Sequence, residues 1–131
     1  MQYALLIYSS LEESTAARVE ASHAARPADA VLSDEWIAYT QAMKNAGALL
    51  AVERLQSVET ATSVRMRDGE RLLTDGPFIE TKEHLLGFFL VEVADLDAAL
   101  DWAARMPLSR HGTIEVRPVL PTPVLTQIAQ E

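Results

Sequence analysis

Residues 85–93 read Leu-Leu-Gly-Phe-Phe-Leu-Val-Glu-Val, apolar on both parities except at Glu92. A strand of this kind has two faces that avoid water, so it belongs inside a sheet that is covered on both sides. Residues 3–8, Tyr-Ala-Leu-Leu-Ile-Tyr, form a second unbroken apolar run of strand length, closed by Ser9 and Ser10. The chain has 131 residues, 49% of them hydrophobic. A chain of that size makes one domain that buries about 68% of its unfolded surface.

The remaining elements follow from periodicity and punctuation. Residues 12–25 favour helix but are interrupted at Pro27 and Asp29, which predicts a helical excursion ahead of the main helix. Ser33 and Asp34 can cap a helix whose apolar positions Trp36, Ile37, Met43 and Ala46 fall near a 3.6-residue period, with Gly47 placed to end it. Residues 48–55 are again strand-like. Residues 61–66 and 71–74 flank Asp68-Gly69, a strong hairpin signal, and predict a projecting β-ribbon. Asp95 caps a second helix with Leu96, Ala99, Leu100, Ala103 and Met106 on its apolar stripe, and Pro107 stops it. In residues 113–119, Ile114 and Val116 alternate inward against Glu115 and Arg117 until Pro118 and Pro121 forbid continuation. Residues 121–131 form a peripheral C-terminal tail after a domain spanning residues 1–120.

The order β-α-β-(hairpin)-β-α-β is the split βαβ arrangement, so the expected class is α+β and ferredoxin-like: an antiparallel sheet with two helices on one face. Two helices cover only one side of that sheet, whereas the two apolar strands demand cover on both. An exposed apolar face costs about 25 cal/mol per Å². A second copy related by a twofold axis makes the patch self-complementary, which predicts a homodimer. The C-terminal tail and a ligand are the rival covers.

Composition narrows the partners. Eleven basic residues against nineteen acidic ones leave a net charge of −8, which opposes nucleic acid and anionic membranes as direct partners. The absence of cysteine excludes disulfides, thiol catalysis and thiolate zinc sites. Residues 1–8 carry no basic leader and only a short apolar run, so neither a signal peptide nor a membrane span is expected, and the expected location is cytoplasmic. His23, His84 and His111 lack close metal-ligand spacing, and no phosphate loop or dinucleotide fingerprint is present. Metal, nucleotide and flavin cofactors are therefore not indicated.

The segment Asp75-Gly76-Pro77-Phe78-Ile79-Glu80-Thr81-Lys82-Glu83, followed by Leu86-Gly87-Phe88-Phe89, resembles the signature of the DGPF branch of the YCII-related proteins. The opening of residues 1–8, the stretch Thr60-Ala61-Thr62-Ser63-Val64-Arg65 and the stretch from His111 to Pro118 extend the resemblance to about residue 120. It implies a dimeric α/β-barrel architecture, in agreement with the reading from pattern alone. It implies no particular reaction: some relatives are suspected enzymes with an acidic residue and a histidine in a cleft, and others accompany alternative sigma factors. This chain has Leu86 where the familiar pattern has the first of two glycines, and the family's helix-borne histidine has no clear counterpart, so that role is not transferred to His23.

In the expected topology the end of the first strand lies beside the starts of the 85–93 strand and the last strand. Tyr8 and Ser9, the loop from Asp75 to His84, and Arg110-His111 therefore converge at one end of the sheet. Asp75 and His111 are the catalytic candidates, because a carboxylate can orient an imidazole and imidazole suits proton transfer near neutrality. The plainer alternative gives Asp75 an Asx-type turn at Gly76-Pro77 and leaves His111 as the residue ahead of a strand. Tyr8, Ser9, Glu80, Lys82 and Phe88 are candidate ligand-binding residues, with Lys82 suited to hold a carboxylate. Glu80, Lys82 and Glu83 equally fit a solvated charge cluster, and Phe78, Phe88 and Phe89 equally fit a core; Phe88 and Phe89 cannot share a face. Ser9, Asp75 and His111 lack the nucleophile elbow of a hydrolytic triad, and His84 is expected to be solvent-exposed in a loop. Three functions remain open: a small-molecule-binding homodimer with acid/base chemistry, a non-enzymatic interaction module that docks a transcription-factor partner through its acidic surface, or a ligand-free structural dimer.

Overall fold

The computed structural model describes residues 1–10 and 33–131. The helical excursion expected at residues 12–25, and His23 with it, lie outside the described residues. Four strands build the main sheet: β1 (Gln2–Ser9), β2 (Leu49–Arg54), β5 (His84–Glu92) and β6 (Thr113–Pro118). Their spatial order is β2-β5-β1-β6 and every pairing is antiparallel. Between β2 and β5 the chain makes a separate two-stranded ribbon of β3 (Thr62–Arg67) and β4 (Glu70–Asp75). This is the α+β, ferredoxin-like arrangement with an added hairpin, as the element order predicts.

Two helices cover one side. Helix α1 (Asp34–Asn45) starts at Ser33, whose hydroxyl accepts the Trp36 N–H at 3.3 Å. It stops at Gly47, which adopts φ +73°. There the Gly47 N–H donates to the Lys44 carbonyl and the Ala48 N–H to the Met43 carbonyl, the paired bonds of a Schellman cap. Helix α2 (Leu96–Arg105) is capped by Asp95, whose carboxylate accepts the Ala98 N–H at 2.9 Å.

Burial along β1 alternates: Tyr3, Leu5, Ile7 and Ser9 are buried, while Ala4, Leu6 and Tyr8 between them are half-buried. The buried set faces the helices and packs with Phe89 and Val91 of β5 against Tyr39, Met43, Ala99, Ala103 and Met106. Phe89 meets Tyr39 edge-on at 5.5 Å and lies stacked on Trp36 at 6.2 Å. The opposite set, Leu6 beside Phe88 and Ala4 beside Leu90 in register, forms the second apolar face. Phe88 and Phe89 thus point to opposite sides, as the strand period requires.

Several expectations about individual positions need correction. Ile37 (52% exposed), Leu96 (47%) and Leu100 (45%) lie outside the core although they fall on the helical stripe. In α2 the contact with the sheet is made through Ala99 and Ala103, small residues that let the helix approach closely and leave the leucines on its flank. The last helical apolar position, Ala46, is the exposed C-cap. The C-terminal tail, expected only to be peripheral, forms a further helix, α3 (Pro123–Gln130), in which every residue is exposed.

Candidate functional site

The end of β1 is where three segments meet. Tyr8 pairs with Leu85 on one side and Thr113 on the other, and Ser9 pairs with His84. Between Ile7 and Tyr8 the β5 strand carries one extra residue, Leu86, a bulge that re-aims the start of that strand. Gly112 fits here because it lacks a side chain: a Cβ at that position would collide with the Tyr8 carbonyl oxygen and crowd Ser9 Cβ. Glu83, immediately ahead of β5, is half-buried, and its carboxylate accepts the Thr113 hydroxyl at 3.4 Å. Tyr8, Glu83, Gly112 and Thr113 thus meet at this end of the sheet on the face away from the helices, while the fully buried Ser9, opposite His84, belongs to the helix-facing side.

His111 stands at the rim of this meeting point. It closes the 3₁₀ turn Pro107–Arg110, and its backbone N–H donates to the Leu108 carbonyl at 3.1 Å. Its side chain is exposed. The neighbouring Arg110 guanidinium reaches Glu35 at 2.7 Å and so ties the turn to the first turn of α1.

Asp75 sits differently. It is the last residue of β4, paired with Thr62 across the ribbon, and it is exposed. No hydrogen bond or ion pair joins it to His111 among the described residues. The turn that follows is held by backbone: the Gly76 N–H donates to the Ala61 carbonyl at 2.6 Å and the Ser63 hydroxyl to the Gly76 carbonyl at 3.0 Å. Gly76 has φ +95°, a conformation that favours glycine over any residue with a Cβ. Beyond it the Arg65 guanidinium lies 4.2 Å above the Phe78 ring, and Phe78 is itself 62% exposed. Thr81 donates its hydroxyl to the Glu83 carbonyl, which fixes the approach to β5. Glu80 and Lys82 project into solvent.

Of the residues singled out from sequence, Tyr8 and Ser9 lie on opposite faces of β1, with Ser9 fully buried toward the helices, and His111 stands two residues ahead of Thr113, the partner of Tyr8. Phe88 lies on the second apolar face beside Leu6. His84 is not a free loop residue: it opens β5 opposite the buried Ser9 and is half-buried. Sequence reasoning named Glu83 only within a charge run and passed over Thr113, because their pairing depends on which strands become neighbours. Their signal was positional: Glu83 precedes the first residue of β5 and Thr113 is the first residue of β6, the two strands flanking β1. Among the described residues no three His, Asp or Glu side chains gather as a metal site, and no helix is long and apolar enough to cross a membrane.

Comparison with known proteins adds two findings. A family model described as YCII-related domain matches residues 1–123. An uncharacterised protein of Rhizobium meliloti (strain 1021) is 46% identical over 76 residues, an alignment that covers 56% of this chain and 61% of that relative's length.

Proposed function

The chain belongs to the YCII-related family, and from that membership and the geometry above we propose that it acts as a homodimer that binds a small anionic molecule at the end of β1. The observation that carries this reading is the meeting of Tyr8, Glu83 and Thr113 beside an apolar face, which supplies polar groups at the rim of a hydrophobic surface. Ligand sites commonly have that composition. In this reading His111 exchanges a proton with the ligand, Lys82 holds its anionic group, and Glu80 and Asp75 border the entrance. Phe88 supports the apolar part of the ligand near the dimer contact.

The net charge of −8 raises the need for a local cation if an anion is to bind, and Lys82 and Arg110 are the cations nearest in sequence to Glu83 and Thr113. The test is thermal stabilisation of the purified chain by a panel of small carboxylates, acetate, malonate and benzoate among them. A rise in Tm that is lost in both Lys82→Ala and His111→Ala supports the reading. A panel that leaves Tm unchanged, at concentrations up to those that perturb an unrelated control protein, overturns it.

A further inference from the structure

Among the described residues, two elements lack the support that their size demands. Helix α3 has eight residues and isolated helices of that length are marginal in water, yet Val124, Leu125 and Ile128 on it are 70%, 65% and 62% exposed. The β3–β4 ribbon is a lone hairpin, likewise marginal by itself, and its Val64, directly opposite Leu73, is 59% exposed against 60% for Leu73. A hairpin of this kind is stabilised by a packed helix, and a short amphipathic helix by an apolar surface, so each supplies what the other lacks.

Topology keeps the pair apart within one chain. The ribbon is rooted between the end of β2 and the start of β5, at the Ser9 end of the sheet. Helix α3 follows β6, the opposite edge strand, and leaves from its Pro118 end beside Tyr3. The two roots occupy diagonal corners of the sheet, about 20 Å apart along the strands and about 14 Å across them. A twofold axis perpendicular to the line joining the two roots carries each of these corners of one copy onto the opposite corner of its partner. Charge points to the same occupant: residues 118–130 contain no Asp, Glu, Lys or Arg, the longest such stretch in a chain of net charge −8, so two like-charged copies meet there without repulsion.

We propose that helix α3 of one copy docks across the Val64–Leu73 face of the β3–β4 ribbon of a second copy, with the reciprocal contact made by symmetry. This rests on the pairing of two copies proposed above and adds to it a specific exchange of arms, with the strands of the two sheets steeply crossed.

The cysteine-free chain allows a clean test by cross-linking with a short bis-maleimide. Full-length Leu73→Cys and Leu125→Cys proteins, distinguishable by a tag, are mixed, and Lys44→Cys mixed with Leu125→Cys serves as the control pair. The expected result is a mixed Leu73→Cys/Leu125→Cys adduct at least fivefold above the control pair, together with a tenfold or greater rise in the dimer dissociation constant of Ile128→Glu. A chain that sediments as a dimer but gives no excess of mixed adduct overturns the arm exchange while leaving the sheet pairing intact. A chain that sediments as a monomer overturns both, and an adduct formed within single copies of the doubly substituted chain shows that the arm folds back on its own ribbon and overturns the exchange.

Discussion

The Tyr39 hydroxyl donates to the Trp102 backbone carbonyl at 2.7 Å, and this one bond clasps α1 to the last turns of α2 above the sheet. The two rings meet edge-on at 5.9 Å, and Tyr39 is only 7% exposed. Burial pushes the Tyr39 hydroxyl well above the usual tyrosine range, with Arg105 pulling weakly the other way.

Two consequences can be measured. Tyr39→Phe leaves the Trp102 carbonyl without this donor and is expected to lower the unfolding free energy by about 1 kcal/mol in urea titrations. Because the folded-state pKa is raised, the stability linked to this group is complete below the unfolded tyrosine pKa of about 10 and is lost as pH rises above it. The urea midpoint of the unsubstituted chain is therefore expected to fall more steeply between pH 10 and pH 12 than that of Tyr39→Phe.

Gly87 and Gly112 mark close approaches of backbone to backbone. A Cβ on Gly87 would lie 2.5 Å from the Glu53 carbonyl oxygen, and one on Gly112 would strike the Tyr8 carbonyl oxygen. Neither obstacle is a flexible side-chain end, so Gly87→Ala and Gly112→Ala are each expected to destabilise by about 1–3 kcal/mol in denaturant unfolding. Gly112→Ala should in addition disturb the site at Tyr8 and weaken ligand binding, while Gly87→Ala should loosen β2.

The helix ends give smaller and separable effects. Asp95→Ala removes the acceptor for the Ala98 N–H and is expected to cost about 1 kcal/mol. Gly47→Ala forces a Cβ into the left-handed region at φ +73°, with open space around it, so its cost of about 1 kcal/mol reflects backbone conformation rather than a clash. Calorimetric Tm values for the two variants and their double mutant should combine additively, because the sites have no shared partner.

At the candidate site the expectation is the reverse: little change in stability and a large change in binding. Asp75, Lys82 and His111 are exposed side chains, and the Ala variants of all three should unfold within about 0.5 kcal/mol of the unsubstituted chain. Lys82→Ala and His111→Ala should each weaken carboxylate binding at least tenfold by calorimetric titration. Asp75→Ala should have the smaller effect of the three, since Asp75 lies on the ribbon and makes no bond to His111.

The fold was legible because its strongest signals are local. The two runs apolar on both parities marked the central strands β1 and β5, Asp68-Gly69 marked a two-residue turn in which both residues have positive φ, and Ser33, Gly47 and Asp95 marked helix ends through their own backbone bonds. Periodicity was a weaker guide to depth. It placed Leu96 and Leu100 on the stripe with Ala99 and Ala103, and the small pair alone reaches the sheet, since which residues touch depends on how near the helix comes. The C-terminal helix was missed because Pro118 and Pro121 read as the end of regular structure, whereas a helix starts just beyond them with Pro123 in its first turn, where its missing N–H does no harm. In the site, the convergence at the end of β1 followed from strand order. The place of Asp75 did not, because the ribbon that carries it is a sheet of its own and its direction is not encoded in strand order.

The two helices leave the face carrying Leu6, Phe88 and Leu90 half-exposed, and a second copy is the proposed cover. Sedimentation equilibrium of the unsubstituted chain beside Phe88→Glu measures this directly. The prediction is a particle of twice 14.4 kDa for the former and of 14.4 kDa for a still-folded Phe88→Glu. A folded unsubstituted chain that stays at 14.4 kDa across the micromolar range would contradict it.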